Sequence, residues 1–386
     1  MCCSAKPVTQ LQQRRTGMAS AGTASGYTLM NKDEMVLDFE CRRNAFDEPE
    51  FFELRWHVDY RPIGYRNLAL FLEQRKAPKY RRHIKELLEL YGCHDLEGFI
   101  SVTLALSLGD TFWVRPESAS LHWRSVSLYT NEFNELISNA AFDGTFTEMG
   151  LSSTSPEFGT DGYYAKCWSR EHDGIYLYKS GSALYEIEPL SEFLASQVAA
   201  IICPDSVSYD IAYYHGKLIS KCELFTNESV GLAKASSLIS GEQTIPVLMQ
   251  YFDSIGSGEQ FRRMCLLDAL IFNPDRHYGN FGVLFDTSNT KVLRMAPAFD
   301  HNRSLFPDLD IEQLSKPDWY LKKCRPRLGT DFVLTARNLL TDEIRMDLAK
   351  LKDFCFAQHD SIAAEKERID ALSAIIREQA AIILSN

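Results

Sequence analysis

The 386-residue chain has no Cys-x-x-Cys pair, and its ten cysteines are scattered. That spacing offers no zinc or thioredoxin-like site, and reduced thiols are expected. There is no long apolar run and no signal-peptide pattern, so the expectation is a soluble, cytoplasmic protein with no membrane partner. Positive charge is in short supply, with 41 Lys and Arg against 52 Asp and Glu and a formal net charge of −11. Such a balance argues against a chain that coats nucleic acid indiscriminately and leaves any nucleic-acid contact local or indirect.

Apolar residues, in contrast, are plentiful at 45%, enough over this length for two or three packed units. Residues 1–25, poor in large apolar side chains, read as a disordered tail, with Met18 or Met30 as alternative starts. Residues 26–150 read as a mixed, mainly helical accessory domain. Its helical patterns cover Tyr65–Gln74, Tyr80–Tyr91, Leu96–Leu106 and Asn131–Ala141, and Thr111–Arg115 is strand-like. Arg75, Lys76, Lys79, Arg81, Arg82 and Lys85 form a basic stretch, read as a solvated helix face or else as a docking surface for an acidic partner or nucleic acid. From about residue 306 the pattern is helical, and Ile369, Leu372, Ile376 and Ile383 mark one face of a terminal helix.

The densest chemistry lies between residues 268 and 302. Asp275 and Asn280 stand five apart in a polar loop between an apolar helix-like run, Leu266–Phe272, and a strand-like run, Phe281–Phe285. Val292–Met295 offers a return strand, and Asp300 follows it. Phosphoryl transfer needs a carboxylate to orient the acceptor hydroxyl and hard oxygen ligands to hold Mg²⁺ against the phosphates. Asp275 suits the first role, and Asn280 and Asp300 suit the second. Ordinary turn chemistry of Asn-Pro-Asp and Tyr-Gly-Asn is the competing reading.

Asp275, His277, Asn280 and Phe281 spell D-x-H-x-x-N-F, and Phe299-Asp300 places an Asp after an aromatic. In these two patterns the segment resembles the HipA-like serine/threonine kinase family. The likeness covers roughly residues 151–386 and implies an α+β, two-lobed protein-kinase-like fold. A β-rich N-lobe over 151–228 and a helical C-lobe over 229–386 would then follow the accessory domain. It further implies Asp275 as catalytic base, His277 as a brace for the loop, and Asn280 and Asp300 as ligands of Mg²⁺. Phosphoinositide kinases share D-R-H-x-x-N, so the motif leaves protein and lipid acceptors both open.

Upstream, Ser155–Gly162 is a turn-rich loop in which Gly159, Thr160 and Gly162 could approach phosphate. Gly162–Lys166 fits the family's G-x-x-x-K pattern, making Lys166 either a phosphate-side residue or a solvent-facing strand lysine. Glu171–Gly174 carries an Asp-Gly hairpin signal, and Ile175–Lys179 alternates as a strand. Lys179 sits where a kinase lysine reaches the nucleotide. The helix opened near Pro189 offers Glu192 as its partner, with Glu188 as the fallback. Two strands around His215-Gly216 end near Glu223 and Phe225, whose backbone, by the family likeness, would read the adenine edge.

The resemblance therefore implies an ATP- and Mg²⁺-dependent kinase acting on Ser or Thr of a protein substrate, with an antitoxin-like partner of a toxin–antitoxin system. Family members silence themselves by phosphorylating the phosphate loop, where Ser155 and Thr160 are the hydroxyls. A lipid or small-molecule acceptor, or a kinase-shaped binding module without turnover, are the alternatives.

Overall fold

A computed structural model describes residues 24–78, 81, 83–145, 155–182, 186–316, 318–321 and 323–385. Expectations placed on residues 1–23, Lys79, Tyr80 and Arg82 lie outside that set. The chain divides into two compact units, Met1–Arg170 with Thr287–Asn289, and Glu171–Asp286 with Thr290–Asn386.

In the first unit, β1 (Ser25–Asn31), β2 (Glu34–Arg43), β3 (Pro49–Trp56) and β4 (Phe112–Pro116) form an antiparallel sheet in the order β3-β2-β1-β4. Leu37, Phe39 and Cys41 of β2 are buried while Asp38 and Glu40 between them are not, the period-two pattern of a half-buried strand. Residues 25–56 carry no predicted element, yet supply three of the four strands. The helices are α1 (Leu68–Glu73), α2 (Ile84–Leu90), α3 (Leu96–Thr103), α4 (Trp123–Val126) and α5 (Glu135–Asp143). Asn67, Asp95 and Asn134 cap α1, α3 and α5 by accepting from backbone N–H groups of the first turn. Leu29, Leu37, Phe39, Leu72, Leu87 and Phe99 meet in one core. Strand β5 (Lys166–Arg170) completes the unit.

The solvated face expected of the basic stretch is corrected here. Arg75 is buried, with Nε donating to Ala105 O at 2.6 Å and Nη1 to Asp110 Oδ2 at 2.7 Å. Arg81 is buried too, and its guanidinium donates to Glu157 O at 2.7 Å, Thr160 O at 2.9 Å and Lys166 O at 2.9 Å. Of the described basic residues Lys85 is the solvated one, loosely paired with Glu89 at 3.8 Å. Composition alone hides this, because an arginine with five donors can be consumed by backbone carbonyls that have no sequence signature.

The second unit opens with β6 (Ile175–Ser180), α6 (Glu188–Ile202), β7 (Asp210–Tyr214) and β8 (Lys217–Glu223), the strands pairing antiparallel in the order β6-β8-β7. Pro189 stands in the first turn of α6, where its missing N–H costs nothing. Positive φ at His215 (48°) and Gly216 (75°) gives the two-residue turn that matches strand twist. A second antiparallel sheet, in the order β11-β10-β9, joins β9 (Val230–Lys234), β10 (Gly282–Asp286) and β11 (Val292–Met295). Gly282 is required there, since a Cβ would lie 2.2 Å from Ala233 O.

Around this sheet are α7 (Ala235–Leu238), α8 (Ile245–Ser254), α9 (Gly258–Leu270), α10 (Ile311–Leu314), α11 (Asp318–Leu321), α12 (Phe332–Asn338), α13 (Asp342–Ala349) and α14 (Lys366–Leu384). Helix α9 packs against α8 and α12, and α14 buries Ile369, Leu372, Ile376 and Ile383 as the periodicity predicts. Asp331 caps α12, and Phe332 lays its ring against Phe272 at 5.6 Å. The architecture is α+β, as expected.

Arg81→Met is predicted to destabilise the protein by about 2–4 kcal/mol, because three backbone carbonyls lose a charged donor in a buried site. Denaturant unfolding checks this, and a change below about 0.5 kcal/mol would return the residue to a solvated role.

Candidate active site

Strand β6 and helix α6 bring two charges together inside the second unit. Lys179 lies opposite Ser220 of β8 in register, and Glu192 lies on the buried face of α6. Lys179 Nζ donates to Glu192 Oε1 at 2.5 Å and to Asp300 Oδ1 at 3.0 Å. Ser220 Oγ donates to Glu192 Oε2 at 2.5 Å, and His301 N donates to Oε1 at 3.3 Å, so both oxygens of a fully buried carboxylate are satisfied. Glu188, the fallback, instead accepts from Ser182 N at 3.0 Å.

Burial alone would lower the Lys179 pKa, but the Asp300 and Glu192 carboxylates overcome it and hold it above the ordinary lysine value. Burial also raises Glu192. Lys179 Nζ is thus shared between the Glu192 carboxyl and that of Asp300, which is part-exposed.

Asp300 reaches that point from the end of the β10–β11 hairpin. The segment before it is pinned to the α6–β7 link: Ala298 N donates to Asp205 O at 3.0 Å and Val207 N to Ala298 O at 2.8 Å. Asp300 N donates to Tyr209 Oη at 2.9 Å. Its φ of +61° is a left-handed conformation that Asp tolerates better than most residues and that a surrounding network must hold.

The loop from Asp268 to Phe281 is built around Arg276. Its Nε and Nη2 grip Asp268 at 2.9 Å each, Nη1 donates to Asn280 O at 2.7 Å and to Phe299 O, and Nη2 lies 3.0 Å from His301 Nδ1. One buried guanidinium thus ties the loop of Asp275 and Asn280 to the segment of Asp300. Asn273 adds a turn, its Oδ1 accepting from Asp275 N at 3.0 Å and its Nδ2 donating to Asp268 Oδ1 at 2.9 Å. Asn280 Nδ2 donates to Asp275 O at 3.0 Å, which spends the amide nitrogen and leaves Oδ1 as the ligand-capable atom. His277 is exposed, and its Nδ1 accepts from Gly279 N at 3.0 Å.

Asp275 is half-buried, and burial raises its pKa, with Asp300 adding to the rise and His277 opposing it. Asp275 and Asp300 supply carboxylates and Asn280 an amide oxygen, hard-oxygen groups of the kind that suit Mg²⁺. Among the described residues no cluster of three or more His, Cys, Asp or Glu has metal-binding form, so the set depends on the Asn280 oxygen.

Glu223 is exposed at the end of β8, and Phe225 packs its ring, tilted, against Phe299 at 5.8 Å, directly before Asp300. In the first unit, Gly159 ends a short 3₁₀ turn and Thr160 Oγ1 donates to Pro156 O at 2.7 Å and accepts from Trp168 Nε1 at 2.8 Å. Gly162 has φ +106°, and a Cβ there would lie 2.0 Å from Lys166 Nζ. Lys166 is buried, so it is not a solvent-facing strand lysine. Ser155 is also buried.

No family model matches the chain, and no curated protein does. Several solved structures are similar, two of them as follows. HipA of Shewanella oneidensis MR-1, solved with HipB and operator DNA in a toxin–antitoxin complex, is 11% identical with a TM-score of 0.53 over 92% of this chain and 96% of that one. The Helicobacter pylori proinflammatory kinase CtkA is 16% identical with a TM-score of 0.44 over 57% of this chain and 92% of that one. The fold is HipA-like.

Within this HipA-like fold, Asp268, Arg276, His301, Ser220 and Tyr209 all support the site and none is predicted from sequence. A signal for Asp268 existed: a carboxylate inside the apolar run of α9 needs a buried partner. His301 is fully buried, and burial together with Arg276 depresses its pKa well below the ordinary imidazole value. It is neutral in the fold and charges only on unfolding, so its contribution is complete above about pH 6.5 and is lost as pH falls below that. Wild type minus His301→Gln stability, measured by denaturant unfolding from pH 7.5 to 5, should decline by up to about 1.4 kcal/mol per pH unit below about pH 6.5. A flat difference would mean that the imidazole is not held neutral.

Proposed function

We propose that the protein is an ATP- and Mg²⁺-dependent kinase that transfers the γ-phosphoryl group to Ser or Thr of a protein substrate. The observation that carries this reading is Lys179, buried and shared between Glu192 and Asp300, beside a loop that presents Asp275 and the Asn280 oxygen. Asp275 orients the acceptor hydroxyl and takes its proton, for which a pKa raised above the usual carboxylate range is suited. Asn280 and Asp300 hold Mg²⁺, and Lys179, positioned by Glu192, reaches the nucleotide phosphates. The bound ion neutralises developing charge on the phosphates. His277 braces the catalytic loop.

Gly159, Thr160, Gly162 and Lys166 serve the phosphate loop, and the backbone at Glu223 and Phe225 reads the adenine edge. Phe225 N and O make no hydrogen bond among the described residues, which supports that use. Residues 26–150 act as the accessory domain and 151–228 and 229–386 as the two lobes. Because HipA is solved with HipB and operator DNA, an antitoxin-like protein is the partner proposed, with nucleic acid reached indirectly. Autophosphorylation at Ser155 or Thr160 requires the loop to open, since the first is buried and the second is hydrogen-bonded at its hydroxyl.

Asp275→Asn is expected to cut phosphoryl transfer by on the order of 10²–10⁴ while leaving nucleotide affinity nearly unchanged. Transfer of radiolabelled phosphate to a protein acceptor, with parallel calorimetric ATP titration, reads both. Equal transfer by wild type and variant removes Asp275 from this role.

A further inference from the structure

The catalytic loop has a second side. A cavity of about 1110 Å³ in the second unit is walled by His277 and Tyr278 of that loop, by Met249 of α8, by Leu334 of α12 and by Arg262 and Arg327. Arg262 is half-buried and Arg327 is exposed, and neither guanidinium has a hydrogen bond or ion pair among the described residues. Other arginines of this unit are used differently: Arg263 pairs with Asp347 at 2.8 Å and Arg276 with Asp268 at 2.9 Å, and Arg368 donates to Leu309 O at 2.8 Å. A half-buried guanidinium facing open volume without an acceptor is satisfied best by an incoming anion. Among the described lining residues the carboxylate is Glu242, which is exposed. The charge of the wall is therefore positive in a chain whose formal net charge is −11.

The wall also carries shape. Gly329, with φ +85°, would place a Cβ 2.5 Å from Thr335 Oγ1, so the loop bearing Arg327 lies close on α12. Tyr278 Oη accepts from Gln243 N at 2.7 Å and Ser236 N donates to Tyr278 O at 2.8 Å, fixing the opposite wall to the loop that ends at Asn280.

We propose that this cavity receives the acceptor segment of the protein substrate, and that the segment is acidic: Asp or Glu side chains pair with Arg262 and Arg327, aliphatic side chains lie against Met249 and Leu334, and a Ser or Thr is carried past His277 towards Asp275. The proposal rests on the kinase reading for the last of these contacts. The charge preference rests on the two arginines alone.

Binding and transfer are therefore measured separately on the full chain. The probes are two fluorescein-labelled peptide pools with a fixed central serine flanked by leucine and either Asp/Glu or Lys, followed by fluorescence polarisation. Wild type is expected to bind the acidic pool about tenfold or more tightly than the basic one. Arg262→Glu and Arg327→Glu are expected to lose that preference and gain affinity for the Lys pool, a reversal that misfolding cannot produce. Equal binding of the two pools, binding of neither, or an acidic preference that survives both substitutions overturns the proposal. Acidic-pool binding without phosphoryl transfer by wild type would instead leave the cavity assignment standing and remove the kinase reading.

Discussion

One ammonium group organises the second unit's polar interior. Lys179 is buried against Glu192 and Asp300, and each carboxylate comes from a different part of the chain, 13 and 121 residues away. Taking a lysine out of water is unfavourable unless it is paired and hydrogen-bonded. The surrounding structure meets that demand with two anions, and with Ser220 and the His301 amide on the remaining lone pairs of Glu192. Strand β6, helix α6, strand β8 and the end of the β10–β11 hairpin are thereby constrained to one arrangement.

Arg276 does for the loop of Asp275 and Asn280 what Lys179 does for the strand and helix. Its guanidinium spans Asp268, the carbonyls of Asn280 and Phe299, and the His301 ring. The loop and the Asp300 segment cannot move apart without leaving a buried cation unsatisfied, which costs several kcal/mol in comparable sites. Rigidity of this kind suits phosphoryl transfer, where positioning and charge neutralisation supply most of the catalysis.

The sequence is legible where its chemistry is local. The β11 strand, the turn at His215-Gly216, the start of α6 near Pro189 and the buried face of α14 all follow from period, glycine or proline placement. The spacing of Asp275, Asn280 and Asp300 is legible in the sequence, and so are Lys179 on a short alternating strand and Glu192 on a helix opened by Pro189. Strands β1 and β3 are not legible, since in β3 the burial pattern gives no clean alternation and in β1 nearly every residue is buried, while β2 alternates at Leu37, Phe39 and Cys41 and is open to reading. The supporting residues escaped for a different reason. Arg276 reads as filler inside a motif, and Arg75 and Arg81 read as surface charge, until backbone carbonyls 30 to 85 residues away appear beside them.

The most direct test is a double-substitution cycle on MgATP affinity with Lys179→Met, Asp300→Asn and both together, read by calorimetry. If the ammonium and the carboxylate act as one unit at the nucleotide, the two losses will fall short of adding, with a coupling of about 1 kcal/mol or more. Losses that sum within about 0.3 kcal/mol, or affinity unchanged in all three variants, would contradict a nucleotide site organised by Lys179.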